Sequence, residues 1–158
     1  MKVNKPVLII LLIIYCYGAM SQQPEAVINT DHIKKKWKNI PYANISEAQK
    51  LDVYLPDLGN GPFPVILAIH GGAFKFGDKA SSHMAFMLEG LKKGYAVISI
   101  NYRMSGEAKA PQLIHDVKAA VRWVRAHASD YKLNGNKIAA WGPSAGGHLS
   151  ALVGTSGD

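Results

Sequence analysis

Apolar and polar positions alternate with two different periods along this chain, and the switches between them outline its elements. Residues 65–69 (VILAI), 95–101 (YAVISIN) and 138–141 (IAAW) are short, nearly unbroken apolar runs. Such runs predict strands of a parallel sheet covered on both faces. Residues 50–55 alternate instead, which predicts a half-buried strand ended by Pro56. Between the runs the period lengthens. Met84, Met87, Leu88 and Leu91 fall at helical spacing, with Ser81 or Ser82 to cap the helix and Gly94 to stop it. Leu113, Ile114, Val117, Ala120, Val121 and Val124 line one face of a longer helix that starts at Pro111. Turns by composition lie at residues 57–62, at Gly77-Asp78-Lys79 and at Asn134-Gly135-Asn136. Strand and helix thus alternate, which predicts an α/β protein with a mostly parallel sheet and flanking helices.

Two of the apolar runs end in glycine-rich corners. After residues 138–141 comes Gly142-Pro143-Ser144-Ala145-Gly146, a G-x-S-x-G match, and then a small-residue stretch able to continue as helix. Between a strand and a helix this motif is a nucleophile elbow, which holds the serine hydroxyl alone at the tip of a strained turn. Ser144 is the candidate nucleophile. The N–H of Ala145 falls at the helix N-terminus, where the dipole favours developing negative charge. A glycine-rich turn with an incidental serine would match the same three positions. The second corner, His70-Gly71-Gly72-Ala73-Phe74 after residues 65–69, favours the chemical reading, because an HGG corner supplies the other half of an oxyanion hole. The pair points to acyl transfer.

The N-terminus is read apart from the fold. Lys2 and Lys5 precede the wholly apolar residues 7–14, and Ala19-Met20-Ser21 is a small-x-small cleavage pattern. This is the signature of a signal peptide over residues 1–21, with export to the periplasm or the medium. A membrane anchor is the rival, but the apolar core is short for a span. A lipoprotein reading would use Cys16, with the bulky Tyr15 against it. Residues 22–38 are polar and expected to be loose, and residues 39–158 form the domain. Only then does composition add something. With 48% hydrophobic and 18% charged residues in 158, the chain can build one core. Cys16 is the only cysteine, so the mature chain has no disulfide. The formal charge of +7 falls to +5 when Lys2 and Lys5 leave with the leader. Its densest cluster, Lys34-Lys35-Lys36-Trp37-Lys38, reads as a solvated segment and not as a nucleic-acid site.

The segments LDVYLP, FPVILAIHGGAF, GDK, NYR, PQLIHDVKAAVRWVRAHA and IAAWGPSAGGHLSALVG together resemble the α/β-hydrolase superfamily. Within it the chain is similar to bacterial feruloyl- and acetyl-xylan-esterase-like serine esterases, which are related to the hormone-sensitive-lipase-like group. The resemblance covers residues 39–158. It implies Ser144 as nucleophile, Gly71, Gly72 and Ala145 as oxyanion-hole donors, and no metal or cofactor. Asn101-Tyr102-Arg103 and Asp116 match structural positions, and the His70 ring would brace its loop. In this fold the acid and the histidine of the triad follow the serine in the chain. After Ser144 only His148 and Asp158 are available. His148 lies one helical turn on and reads as a helix or loop contact. His32, His83, His115 and His127 stand singly, without metal-ligand spacing, although one of them as a convergent base is an alternative.

The expectation is therefore the N-terminal half of an exported serine ester hydrolase, ending just past its nucleophile and inactive alone. Its substrate would be a small-molecule or carbohydrate ester, with no nucleic-acid partner and no stable membrane anchor. An open sheet edge at residues 138–141 would let such a fragment self-associate. A serine peptidase of the prolyl-oligopeptidase type and a non-catalytic binding protein of the same fold are the alternatives.

Overall fold

The computed structural model describes residues 26–157. The leader expected at residues 1–21 therefore lies outside the described residues. Among the described residues no helix is long and apolar enough to cross a membrane. Strands β1 (Lys36–Pro41), β2 (Lys50–Tyr54), β3 (Phe63–Ile69), β4 (Ala96–Ile100) and β5 (Leu133–Trp141) form one sheet in the order β1-β2-β4-β3-β5. β1, β2 and β4 pair antiparallel, whereas β3 runs parallel to both β4 and β5. A 3-10 helix, Ser82–Leu88, runs straight into α1 (Glu89–Lys92), and α2 (Gln112–Ala126) and α3 (Ala145–Thr155) follow. Ser81 caps the 3-10 helix as its spacing predicts, by accepting from the His83 N–H.

Strand register decides which residues share a face. Leu67 pairs with Ile98 and Ala140, and Val53 pairs with Ile98. The side chains of Leu51, Val53, Val65, Leu67, Ile69, Ile98 and Ile100 thus form one surface, packed against Leu113, Val117, Ala120 and Val124 of α2 and Leu149 of α3. The intervening residues Tyr54, Ala68 and Val97 meet Met84, Met87 and Ile33 on the other face. Both faces are covered, which is why the β3 and β4 runs are apolar at nearly every position.

Three local expectations are revised. β2 is not half-buried: it lies between β1 and β4, and residues 51–56 are all buried. Its polar member Asp52 is 0% exposed because Lys79 Nζ pairs with it at 2.8 Å, Tyr54 OH donates at 3.0 Å and the Asn39 N–H at 2.7 Å. The alternation there reflects a buried ion pair and not a wet face. Residues 26–38, expected to be loose, are also more ordered than their composition suggests. Val27 bridges to Ser81, Thr30 and Ile33 are buried, and β1 begins at Lys36. The lysines of this region border the outer strand of the sheet, where charge discourages strand pairing. Finally, β5 begins at Leu133, ahead of the expected Asn134-Gly135-Asn136 turn. Phe63 pairs with Leu133 and Val65 with Ile138, so the extra residues bulge out of register, with the Asn136 N–H closing on Asn134 Oδ1 at 3.1 Å. Ala139 and Trp141 are exposed, because β5 has β3 on one side and, among the described residues, no strand on the other.

Lys79→Met should be severely destabilising, because it strands a carboxylate in the sheet. The expected loss is about 3–5 kcal/mol in urea denaturation, with much of it recovered in the double variant Asp52→Leu/Lys79→Met. A loss no larger in Lys79→Met than in the double variant would refute this account of the pair.

Candidate active site

Ser144 stands between the end of β5 and the start of α3 with φ 50° and ψ −118°, a backbone geometry that non-glycine residues avoid. Position and strain both follow from packing. A Cβ on Gly142 or on Gly146 would come within 2.0 Å of the Ile69 carbonyl oxygen, so only glycines let the elbow lie against the end of β3. The turn that results leaves Ser144 exposed at the helix N-terminus, and its hydroxyl makes no capping bond to α3. Inside the turn the Gly146 N–H closes on Pro143 O at 2.9 Å and the His148 N–H on Ser144 O at 3.0 Å. As a first-turn group, the N–H of Ala145 has no acceptor within its own helix.

The second corner reaches the first. A Cβ on Gly71 would lie 3.0 Å from Pro143 O and 3.5 Å from Ser144 Cβ. The corner turns sharply at Gly72 (φ 114°), where a Cβ would be 1.8 Å from Phe76 O. Ala73 and Phe74 then take left-handed φ values of 51° and 62°. The N–H groups of Lys75 and Phe76 both close on Gly72 O, at 2.9 and 3.1 Å. His70 is buried, with Nδ1 2.7 Å from Gly71 O and its ring stacked on Tyr102. This is the bracing geometry expected of it.

Ser144 opens onto a cleft of about 700 Å³. The glycine corner forms one wall, and Ser81, His83 and Phe86 of the 3-10 segment form the other. Phe86 packs edge-on against Trp141 with ring centroids 4.2 Å apart. The structure thus brings Ser144, Gly71 and Gly72 together around one cavity, with Ala145 next in the chain. His83, which the sequence leaves as a lone histidine, lines the same cleft. His148 is exposed and meets Phe74 edge to face at 6.0 Å, beside a smaller apolar niche. His127 stacks on Trp123, and His32 and His115 face outward, all away from the cleft.

Asn101-Tyr102-Arg103 and Asp116 take the structural places expected of them. Arg103 grips Asp116 with two nitrogens, Nε at 2.9 Å and Nη2 at 2.7 Å, and Gln49 Nε2 donates to the same carboxylate at 2.7 Å. These bonds to Asp116 hold the guanidinium pKa above its usual value. The sequence does not reveal that Asp52, Lys79, Asp78 and Asn101 form one polar network behind the glycine corner. The adjacent opposite charges of Asp78 and Lys79 within the GDK turn are the faint signal that they do.

Strand, strained serine and helix against a glycine corner define an α/β-hydrolase fold. The chain belongs to the BD-FAE family, whose profile matches residues 51–158. It is 40% identical over 117 residues to the probable carboxylic ester hydrolase LipM of Mycobacterium tuberculosis, covering 73% of this chain and 27% of that one. Esterase LipC of the same organism is 40% identical over 108 residues. Among solved structures, a truncated form of a carbohydrate esterase from gut microbiota superposes with a TM-score of 0.72 at 40% identity, covering 82% of this chain and 46% of that one. Esterase B of Lactobacillus rhamnosis, at 22% identity and a TM-score of 0.69, shares the fold. The chain spans about a quarter of the length of the curated relatives it matches.

Gly146→Ala should cost upwards of about 2 kcal/mol, because the added carbon meets backbone that cannot move aside. Gly154→Ala, in the same helix with nothing within 4 Å of its Cβ, should instead raise stability by about 0.5–1 kcal/mol. Thermal midpoints of the two variants test the pair, and equal shifts would refute the close-approach argument.

Proposed function

We propose that this chain carries the nucleophile and the oxyanion hole of an exported serine carboxylic-ester hydrolase. The observation that carries the reading is the uncapped Ser144 hydroxyl, held in a strained turn against the Gly71-Gly72 corner and open to a cleft. In the reaction a histidine takes the Ser144 proton as Oγ attacks the ester carbonyl. The developing oxyanion is met by N–H groups of Ala145, Gly71 and Gly72, and the alcohol leaves with the proton. Water then releases the acyl group from Oγ by the same steps. The histidine and its acid come from outside the described residues, in a segment that the longer relatives have room for. The ester hydrolases among its relatives favour an ester over a peptide bond, and the similarity to a carbohydrate esterase from gut microbiota favours small carbohydrate esters as substrates. Export rests on the leader pattern at residues 1–21.

Three measurements test this reading. Alone, the 158-residue chain should hydrolyse p-nitrophenyl acetate no faster than its Ser144→Ala variant. Supplied with the complementing segment it should gain at least about 10³-fold, all of it lost in Ser144→Ala. Strong Ser144-dependent turnover by the chain alone would mean that a base lies within these residues. Mass spectrometry of the exported product should find Gln22 first, and an intact Met1 on a soluble cytoplasmic protein would end the export proposal. On size exclusion the chain alone should self-associate through the open side of β5, where Trp141 and Phe86 are exposed. A sharp monomer peak with slow amide exchange over residues 137–142 would refute that edge.

A further inference from the structure

The loop after β3 has little regular structure of its own, yet it carries the His70-Gly71-Gly72 corner. The contacts that hold it lead to the end of β4 and the residues just after it. On the first leg Tyr102 OH donates to His70 O at 3.1 Å, and the two rings stack with centroids 4.6 Å apart and 14° between planes. At the tip the Ser105 N–H donates to Phe74 O at 2.7 Å. On the second leg the Lys79 N–H donates to Asn101 Oδ1 at 2.6 Å, and Asn101 Nδ2 donates to Asp78 Oδ2 at 2.7 Å. Ser99 Oγ closes this leg by donating to Lys79 O at 2.7 Å.

The segment that does the holding is itself fixed. Tyr42 OH donates to Asn101 O at 2.7 Å, and Arg103 is clamped on the buried Asp116. Burial pushes the Tyr102 hydroxyl pKa up to about 12, so it remains a donor throughout the neutral and mildly alkaline range. The Asp78 carboxyl is drawn below its usual range: burial opposes this, but bonds from Asn101 and the Ala80 N–H and the nearby Lys79 charge outweigh it.

We propose that Asn101 and Tyr102 are positioning residues for the oxyanion hole. Consecutive in the chain, they grip opposite legs of the glycine loop and so set where the Gly71 and Gly72 N–H groups stand relative to Ser144. The proposal rests on the reading of those groups as oxyanion donors. Neither residue lines the cleft, and both act through the loop. Because a loosened hole weakens only what forms in the transition state, the deficit falls on kcat and not on KM.

Tyr102→Phe is the sharp variant, since it keeps the ring on His70 and removes only the O–H. Asn101→Ala releases the other leg. Amide exchange on the purified chain needs no turnover. Each variant should raise exchange at Lys75, Phe76 and Ser105 by about tenfold, the worth of one hydrogen bond, and leave Leu67 and Ile98 unchanged. In the complemented enzyme Tyr102→Phe should lower kcat for p-nitrophenyl acetate by about tenfold or more, with KM within about twofold. Unchanged loop exchange, exchange raised equally in the core strands, or a rise in KM with kcat intact would each overturn the proposal. Absence of any Ser144-dependent turnover overturns the ester-hydrolase reading instead, and the exchange result then decides alone whether the loop is clamped in this way.

Discussion

The carbonyl oxygen of Ile69 leaves no space for a Cβ on either Gly142 or Gly146, and the rest of the site depends on that closeness. It brings the end of β3 against the turn between β5 and α3. The β3 loop and the elbow therefore share one corner of the molecule, and Gly71 comes to lie beside Ser144. It also forces the chain to reverse within a few residues, which accounts for the strained backbone of Ser144 at φ 50°. Strain of this kind costs about 1–3 kcal/mol and persists only where the surroundings over-determine it. Here the surroundings are two apolar strands in parallel register and a helix whose Leu149 is buried against them.

Behind the corner the fold relies on buried polar contacts. Asp52 and Lys79 form an ion pair inside one face of the sheet, and Asp116 with Arg103 forms another at the head of α2. Buried pairs of this sort add little net stability, because desolvation offsets much of the attraction. Their contribution is directional. Each fixes a loop that hydrophobic packing would leave free to slide, the first by holding Lys79 at the far leg of the glycine loop, the second by holding Arg103 beside Tyr102. The site's rigidity thus comes from outside its own residues.

The two ends of the sheet are finished differently. β1 is bordered by lysines and polar backbone contacts. Among the described residues β5 carries a single lysine, Lys137, and Ala139 and Trp141 stay exposed although their composition is that of an interior strand. The aromatic contact between Phe86 and Trp141 covers part of that side and gives the cleft its outer wall.

Much of the architecture was legible in the sequence because it depends on local periodicity. The apolar runs gave β3 and β4, the helical spacing of Leu113, Val117, Ala120 and Val124 gave α2, and Gly142 with Gly146 gave the elbow around Ser144. Long-range pairing was not legible. No local pattern says that Asp52 meets Lys79, that β2 is an interior strand, or that β5 starts at Leu133 with a bulge and pairs with β3. Those facts depend on residues distant in sequence, whose charges and volumes are compatible with many partners until the strand order is set. The sequence by itself determined which side chains are candidates for the chemistry and which apolar runs turn inward. Only the tertiary structure decided what stands beside them, because the neighbours of Ser144 and Gly71 arise from two loops that meet through the backbone of Ile69 and through no side chain that a pattern could mark.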